Sequence, residues 1–225
     1  MSRLRFLLNG EVVEIAAAEP TRTVLQFLRE DRRHVGSKEG CAEGDCGACT
    51  VVLAELVDDA LRYRAVNACI QFLPTLAGKA LFTVESLKSS AGELHPVQQS
   101  MVENHGSQCG FCTPGFVMSM FALYLNNPAP TRADIDDALS GNLCRCTGYR
   151  SIIDACLHMH DYPRQTPNET ELIQKLRALR GDRGLSLEFE QAQYMRRLRS
   201  MNCRLCTLSM PMREFSPAVP MSASG

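Results

Sequence analysis

Three cysteines crowded into one glycine-rich run, Gly40-Cys41-Ala42-Glu43-Gly44-Asp45-Cys46-Gly47-Ala48-Cys49, limit what this chain can fold into more than any other feature. Their spacing is C-x4-C-x2-C, and a fourth thiol follows at Cys69. Three thiols can converge from one short loop only if its backbone folds tightly, and Gly40, Gly44 and Gly47 permit that folding. They also let backbone N–H groups come close to sulfur.

Eleven cysteines would suggest disulfides in a small secreted domain. This chain of 225 residues is larger, opens without a charged and then apolar leader, and clusters its thiols at short metal-ligand spacings, so ligation is the better reading. Two irons and two bridging sulfides leave four outward positions, and the first set has the plant-type spacing for a [2Fe–2S] cluster. A second set combines C-x2-C in Gln108-Cys109-Gly110-Phe111-Cys112-Thr113-Pro114-Gly115 with C-x-C in Asn142-Leu143-Cys144-Arg145-Cys146-Thr147-Gly148. Structural zinc also takes four thiolates, commonly from two short knuckles, so spacing alone leaves the second set open between zinc and iron–sulfur. Thr113 and Pro114 read as N-cap and first residue of a helix, which would place Cys112 beside a positive helix end, and Thr147 would place Cys146 similarly.

A net charge of −1 and the absence of a basic stripe argue against a nucleic-acid partner. No apolar run reaches the length of a membrane span, and the expected location is the cytoplasm. Asn9-Gly10 between two apolar runs predicts a β-hairpin over residues 3–15, and Thr23 caps a short helix whose stripe is Val24, Leu25, Phe27 and Leu28. Strands are expected at Thr50–Leu53, Leu61–Val66 and Leu81–Val84, with a turn at Asp58-Asp59.

From His95 the apolar period becomes helical: Val97, Met101 and Val102 mark one stripe, and Phe116, Val117, Met120, Phe121, Leu123 and Tyr124 a longer one. Pro128-Ala129-Pro130 ends the longer helix, Thr131-Arg132-Ala133-Asp134 opens a third as a capping box, and Gly148–His158 supports a fourth. The expected fold is α+β: an α+β unit over 1–88, a helical bundle over 89–160, a linker over 161–195 that includes a polar helix at Glu169–Arg180, and an irregular, disordered tail over 196–225.

Several smaller signals have plain explanations. Cys156, among Ile152, Ile153 and Leu157, reads as a buried small apolar residue. His158 and His160 sit where histidines meet terminal helix carbonyls. Cys203-Arg204-Leu205-Cys206 lacks partner ligands, and the arginines from Arg196 to Arg204 lack aromatic interleaving.

With both cysteine sets read, residues 3–160 resemble the iron–sulfur portion of the molybdenum hydroxylases, most closely the small subunit of bacterial xanthine dehydrogenases. The matching stretches are Gly40–Val52, Val66–Cys69, Gln108–Gly115 and Gly141–Tyr149. The resemblance implies a ferredoxin-like β-grasp domain holding one [2Fe–2S] cluster through Cys41, Cys46, Cys49 and Cys69. An all-α four-helix domain would hold a second through Cys109, Cys112, Cys144 and Cys146. It further implies that Gln108 and Cys146 face a molybdenum–pterin cofactor on a separate large subunit. Electrons from purine hydroxylation would then pass through the helical-domain cluster and the β-grasp cluster to flavin and NAD.

The family continues into a flavin-binding domain, whereas Arg196–Gly225 matches nothing expected of it. A reading frame that shifts near Met195 would account for this, placing FAD on a missing domain or a partner. Two other readings stand beside this one: the small subunit of an aldehyde or carbon monoxide dehydrogenase, and a non-catalytic structural module with zinc in the thiolate sites.

Overall fold

A computed structural model of the chain describes residues 3–16, 19–89, 91–179, 185–189 and 192–196. Strands β1 (Leu4–Leu8) and β2 (Glu11–Ile15) pair antiparallel around Asn9 and Gly10, whose φ angles of 53° and 87° are those of a two-residue type I′ turn. The Asn9 side chain also reaches across the fold: its Oδ1 accepts the Thr83 N–H at 2.9 Å. Helix α1 (Val24–Gln26) starts at Thr23, whose hydroxyl accepts from the Gln26 N–H while the Gln26 side chain returns to the Thr23 N–H, and it runs on into a π turn over Phe27–Asp31.

Strands β3 (Thr50–Val57) and β4 (Ala60–Asn67) meet at Asp58-Asp59, both at positive φ, and β5 (Ala80–Phe82) completes the sheet. The strand order is β2-β1-β5-β3-β4, with β1 and β5 parallel and the other pairs antiparallel. This is the expected β-grasp arrangement, and the α+β fold class holds.

Alternation along the strands divides the core. Leu4, Phe6, Leu8, Val51, Leu53 and Leu81 point to α1, where they pack with Val24, Leu25, Phe27 and Leu28. Leu7, Val52, Ala54 and Phe82 point the other way, into a second cluster that includes Phe116, Val117, Met120 and Phe121. Because both faces are covered, β3 is buried along nearly its whole length and its sequence shows no alternation.

The helical part comprises α2 (Pro96–Glu103), α3 (Thr113–Asn126), α4 (Arg132–Leu139) and α5 (Arg150–His158). Thr131 caps α4 through the expected capping box with Asp134. Val97 and Met101 face the core of α2, but Val102 is 61% exposed. A step of one residue turns about 100° around a helix, which carries Val102 off the stripe. His158 pairs with the Asp161 carboxylate at 2.8 Å instead of meeting helix carbonyls. Cys156 is fully buried, as expected, and burial pushes its thiol up to about 12.

Within the segment foreseen as a linker, α6 (Glu169–Leu179) packs back on the sheet through Leu172, Leu176 and Leu179. Lys175 Nζ donates to the Gly10 carbonyl at 3.0 Å and Arg177 pairs with Asp59 at 2.8 Å, so this helix touches both hairpin turns. Beyond it, β6 (Leu185–Phe189) and β7 (Ala192–Arg196) pair antiparallel. Residues 197–225, with Cys203 and Cys206 and most of the expected disordered tail, lie outside the described residues. Among the described residues no helix is long and apolar enough to cross a membrane.

Candidate metal centres

The fold brings Cys41, Cys46, Cys49 and Cys69 together from the loop before β3 and the turn after β4. Cys41 and Cys46 are close neighbours, and so are Cys49 and Cys69. The Cys41 sulfur accepts the N–H groups of Asp45 at 3.3 Å and Cys46 at 3.4 Å. Backbone N–H groups of Glu43, then Cys46 and Asp45, hold the Cys41 thiol down at about 6, so the loop favours a thiolate there. Cys69 is pushed up to about 12 by burial and by the neighbouring Cys49. Asn67 braces the loop from β4, donating to the Gly44 carbonyl at 2.5 Å.

The second set assembles at the start of α3 and in the loop before α5. Its thiols also meet in pairs, Cys112 with Cys144 and Cys109 with Cys146. Cys112 is itself the N-cap of α3, with Thr113 as first helical residue and Pro114 behind it, one position earlier than expected. The reason lies in Thr113, whose hydroxyl bonds to Ser107 Oγ at 2.7 Å and does not cap the helix. Thr147 serves Cys144, not Cys146: its hydroxyl lies 3.2 Å from the Cys144 sulfur. Burial acts to raise the Cys144 thiol, but the Thr147 hydroxyl and N–H, with Cys112 and the Cys146 N–H, outweigh it and hold it below the usual thiol value. Burial, then Cys144 and Cys109, push Cys112 up to about 12. Cys109, Cys146 and Gln108 are exposed on one edge of this set, whereas Cys144 is buried.

Paired thiols suit a two-iron cluster, in which each iron takes two thiolates and the bridging sulfides fill its remaining positions. Among the described residues no group of three or more His, Cys, Asp or Glu is arranged to hold a single metal ion. The nine described cysteines are all free thiols.

The two sets meet through backbone. A Cβ on Gly47 would stand 2.2 Å from the Gly141 carbonyl oxygen, and one on Gly115 would stand 2.1 Å from the Gly47 carbonyl oxygen. Only glycine allows this approach. Between them lies Asn142, 3% exposed, which donates to the Gly47 carbonyl at 3.0 Å and accepts from Ser119 Oγ at 2.6 Å. The contacts of Asn142, Ser119 and Tyr149 are not marked in the sequence, since they depend on folded loops and not on a ligand spacing.

Two [2Fe–2S] domains in one chain define the class: an electron-transfer protein with two iron–sulfur clusters. Residues 6–73 match the 2Fe-2S iron-sulfur cluster binding domain family and residues 83–157 the [2Fe-2S] binding domain family. Aldehyde oxidase 1 of Bos taurus is 46% identical over 157 residues, 69% of this chain and 12% of that protein. Xanthine dehydrogenase of Drosophila pseudoobscura pseudoobscura is 48% identical over 155 residues, 68% of this chain and again 12% of the relative. The chain thus spans about an eighth of the length of these relatives. In the crystal structure of quinoline 2-oxidoreductase from Pseudomonas putida 86, a chain 32% identical superposes with a TM-score of 0.58, covering 79% of this chain and 96% of that one. The chain belongs to the molybdenum hydroxylase family as its iron–sulfur component, with two [2Fe–2S] clusters as its cofactors. The zinc-module reading gives way to these matches.

Proposed function

We propose that Cys41, Cys46, Cys49 and Cys69 hold one cluster and that Cys109, Cys112, Cys144 and Cys146 hold the other. On this reading the chain is the small subunit of a xanthine dehydrogenase of the bacterial kind, acting in the cytoplasm. It relays electrons from a molybdenum–pterin site on a large partner subunit toward a flavin domain or subunit and NAD. When bound, each cluster takes up and gives back one electron.

The observation that carries this reading is the asymmetry of the second thiol set. Its exposed edge, with Gln108, Cys109 and Cys146, offers a partner's cofactor a short approach, and its buried edge, with Cys144, adjoins the loop of the first set. Gln108, exposed on that edge, would present its amide to the pterin. The 96% coverage of a separate chain in the quinoline 2-oxidoreductase structure supports an iron–sulfur subunit distinct from the molybdenum subunit. Purine as substrate is supported by 47–48% identity to xanthine dehydrogenases of three flies. Aldehyde oxidases at 46–49% support an aldehyde substrate equally well, so that alternative is kept.

The test is co-purification with the large subunit, followed by oxidation of hypoxanthine with NAD and with an artificial acceptor. Activity with the artificial acceptor is expected. Oxidation of aldehydes but not hypoxanthine would favour the alternative, and no activity with either would contradict the relay.

A further inference from the structure

Arg29 sits in the π turn over Phe27–Asp31, which the Arg32 N–H closes on the Phe27 carbonyl at 3.1 Å. Such turns are uncommon and frequently mark functional sites. The half-buried Arg29 side chain is spent on backbone: Nη1 donates to the Ser37 carbonyl at 2.9 Å and to the Val35 carbonyl at 3.4 Å. Lys38 Nζ donates to the same Val35 carbonyl at 2.7 Å. Neither cation forms an ion pair among the described residues, since Glu30 and Asp31 beside Arg29 are taken by Arg22 at 3.0 and 2.6 Å.

The Ser37 carbonyl and the Lys38 N–H belong to one peptide unit, and that N–H donates to the Ala48 carbonyl at 3.2 Å. The Ala48 carbonyl in turn shares its peptide unit with the N–H of Cys49, a thiol of the first set. That N–H meets no protein acceptor among the described residues, although Cys49 is only 3% exposed. Buried N–H groups without a partner are rare, and this one stands where the first thiol set converges, as a donor for cluster sulfur. Two peptide units thus run head to tail from the Arg29 guanidinium to a thiol residue, each polarising the next. Ser37 and Ala48 are buried, so water does not screen this chain. On the other side of the segment Glu85 Oε1 accepts the Gly36 N–H at 2.8 Å, while Glu39, Glu43 and Asp45 on the loop are exposed to screening solvent.

We propose that Arg29 is a positioning residue for the first cluster, acting through the Ser37–Lys38 and Ala48–Cys49 peptide units, and that with the second unpaired charge of Lys38 it holds that cluster's reduction potential up. The inference rests on the assignment of Cys41, Cys46, Cys49 and Cys69 made above. Reduction adds one electron, and so one negative charge, to the first site; the reductant is oxidised, no bond forms or breaks, and no proton moves. A fixed positive charge and a donor N–H favour the more negative state, which raises the potential.

The experiment uses the full chain with both clusters and the variants Arg29→Gln, Arg29→Lys and Lys38→Gln. Stepwise reduction with dithionite at known potentials, followed by low-temperature paramagnetic resonance, reads the midpoint of each signal, and Cys46→Ser identifies the first cluster's. In Arg29→Gln the first midpoint should fall while the second stays. Arg29→Lys should restore most of the loss, and Lys38→Gln should lower the first midpoint by less than Arg29→Gln. A merely structural role would lower the urea midpoint and leave the first potential unchanged, or move both potentials alike; either result overturns the proposal. Equal first midpoints in Arg29→Lys and Arg29→Gln would also overturn it, since the retained charge separates the two. If Arg29→Gln fails to hold the first cluster, Lys38→Gln decides: an unchanged first midpoint there overturns the proposal. Survival of both signals in Cys46→Ser would instead overturn the ligand assignment, whatever the Arg29 variants do.

Discussion

The Tyr149 hydroxyl accepts the backbone N–H of Cys144 at 3.1 Å, while Tyr149 itself stands at φ 70° as the N-cap of α5. Its ring packs edge-on to Phe116 at 6.3 Å, tying the C-x-C loop to α3. Tyr149→Phe keeps the ring and removes only the acceptor, which should cost about 1 kcal/mol in chemical denaturation. The signal of the helical-domain cluster should shift and the other should not; an unchanged midpoint and unchanged signals would show that Cys144 does not need this bond.

Cys46→Ser should abolish the signal of the β-grasp cluster and leave the other, now without splitting. Because the two thiol sets draw on separate elements, each cluster should assemble without its neighbour. Loss of both signals in this variant would contradict that independence.

In the cluster-free chain Cys41 should be the thiol alkylated first. Backbone N–H groups hold it at about 6, whereas burial and neighbouring thiols place Cys69 and Cys112 at about 12. The thiolate is the nucleophile, so at neutral pH iodoacetamide should label Cys41 well before those two. Peptide mass spectrometry gives the order, and labelling of Cys69 ahead of Cys41 would refute it.

His95 caps α2 through Nδ1, which accepts the Val97 N–H at 3.2 Å, while Nε2 faces the Gln165 carbonyl at 3.0 Å. This pair of bonds requires the neutral ring, and burial lowers the His95 pKa, opposed by Gln165. Since the folded value lies below the unfolded one, the unfolded chain binds the extra proton as pH falls. The stabilisation is present above the unfolded value of about 6.5 and is lost as pH falls through the folded value, by at most ~1.4 kcal/mol per pH unit. Urea midpoints on both sides of that pH should diverge more for the wild type than for His95→Gln. Equal pH dependence of the two would remove His95 as the cause.

Features encoded over short spacings were legible in the sequence. Asn9-Gly10, the Thr23 and Thr131 caps and the short cysteine spacings within 41–49, 109–112 and 144–146 each depend on neighbours a few residues away, and the hairpin and both caps formed. What stayed hidden depends on distant partners. The Asn142–Gly47 bond spans 95 residues, and nothing near either residue marks it. Helix α6 looked like a polar connector because Leu172, Leu176 and Leu179 make a narrow stripe, and only the folded hairpin turns supply the Gly10 carbonyl and Asp59 that anchor it. Cap positions around Cys112 and Cys144 were misplaced because Thr113 and Thr147 have better partners in Ser107 and the Cys144 sulfur.

One chain should carry two [2Fe–2S] clusters able to pass an electron. Paramagnetic resonance of the dithionite-reduced protein, taken with its iron and acid-labile sulfide content, tests this most directly. The expected result is red-brown protein with about four irons and four sulfides per chain and two distinct, mutually split signals. Colourless protein holding zinc without labile sulfide, or a single signal at full iron content, would contradict it.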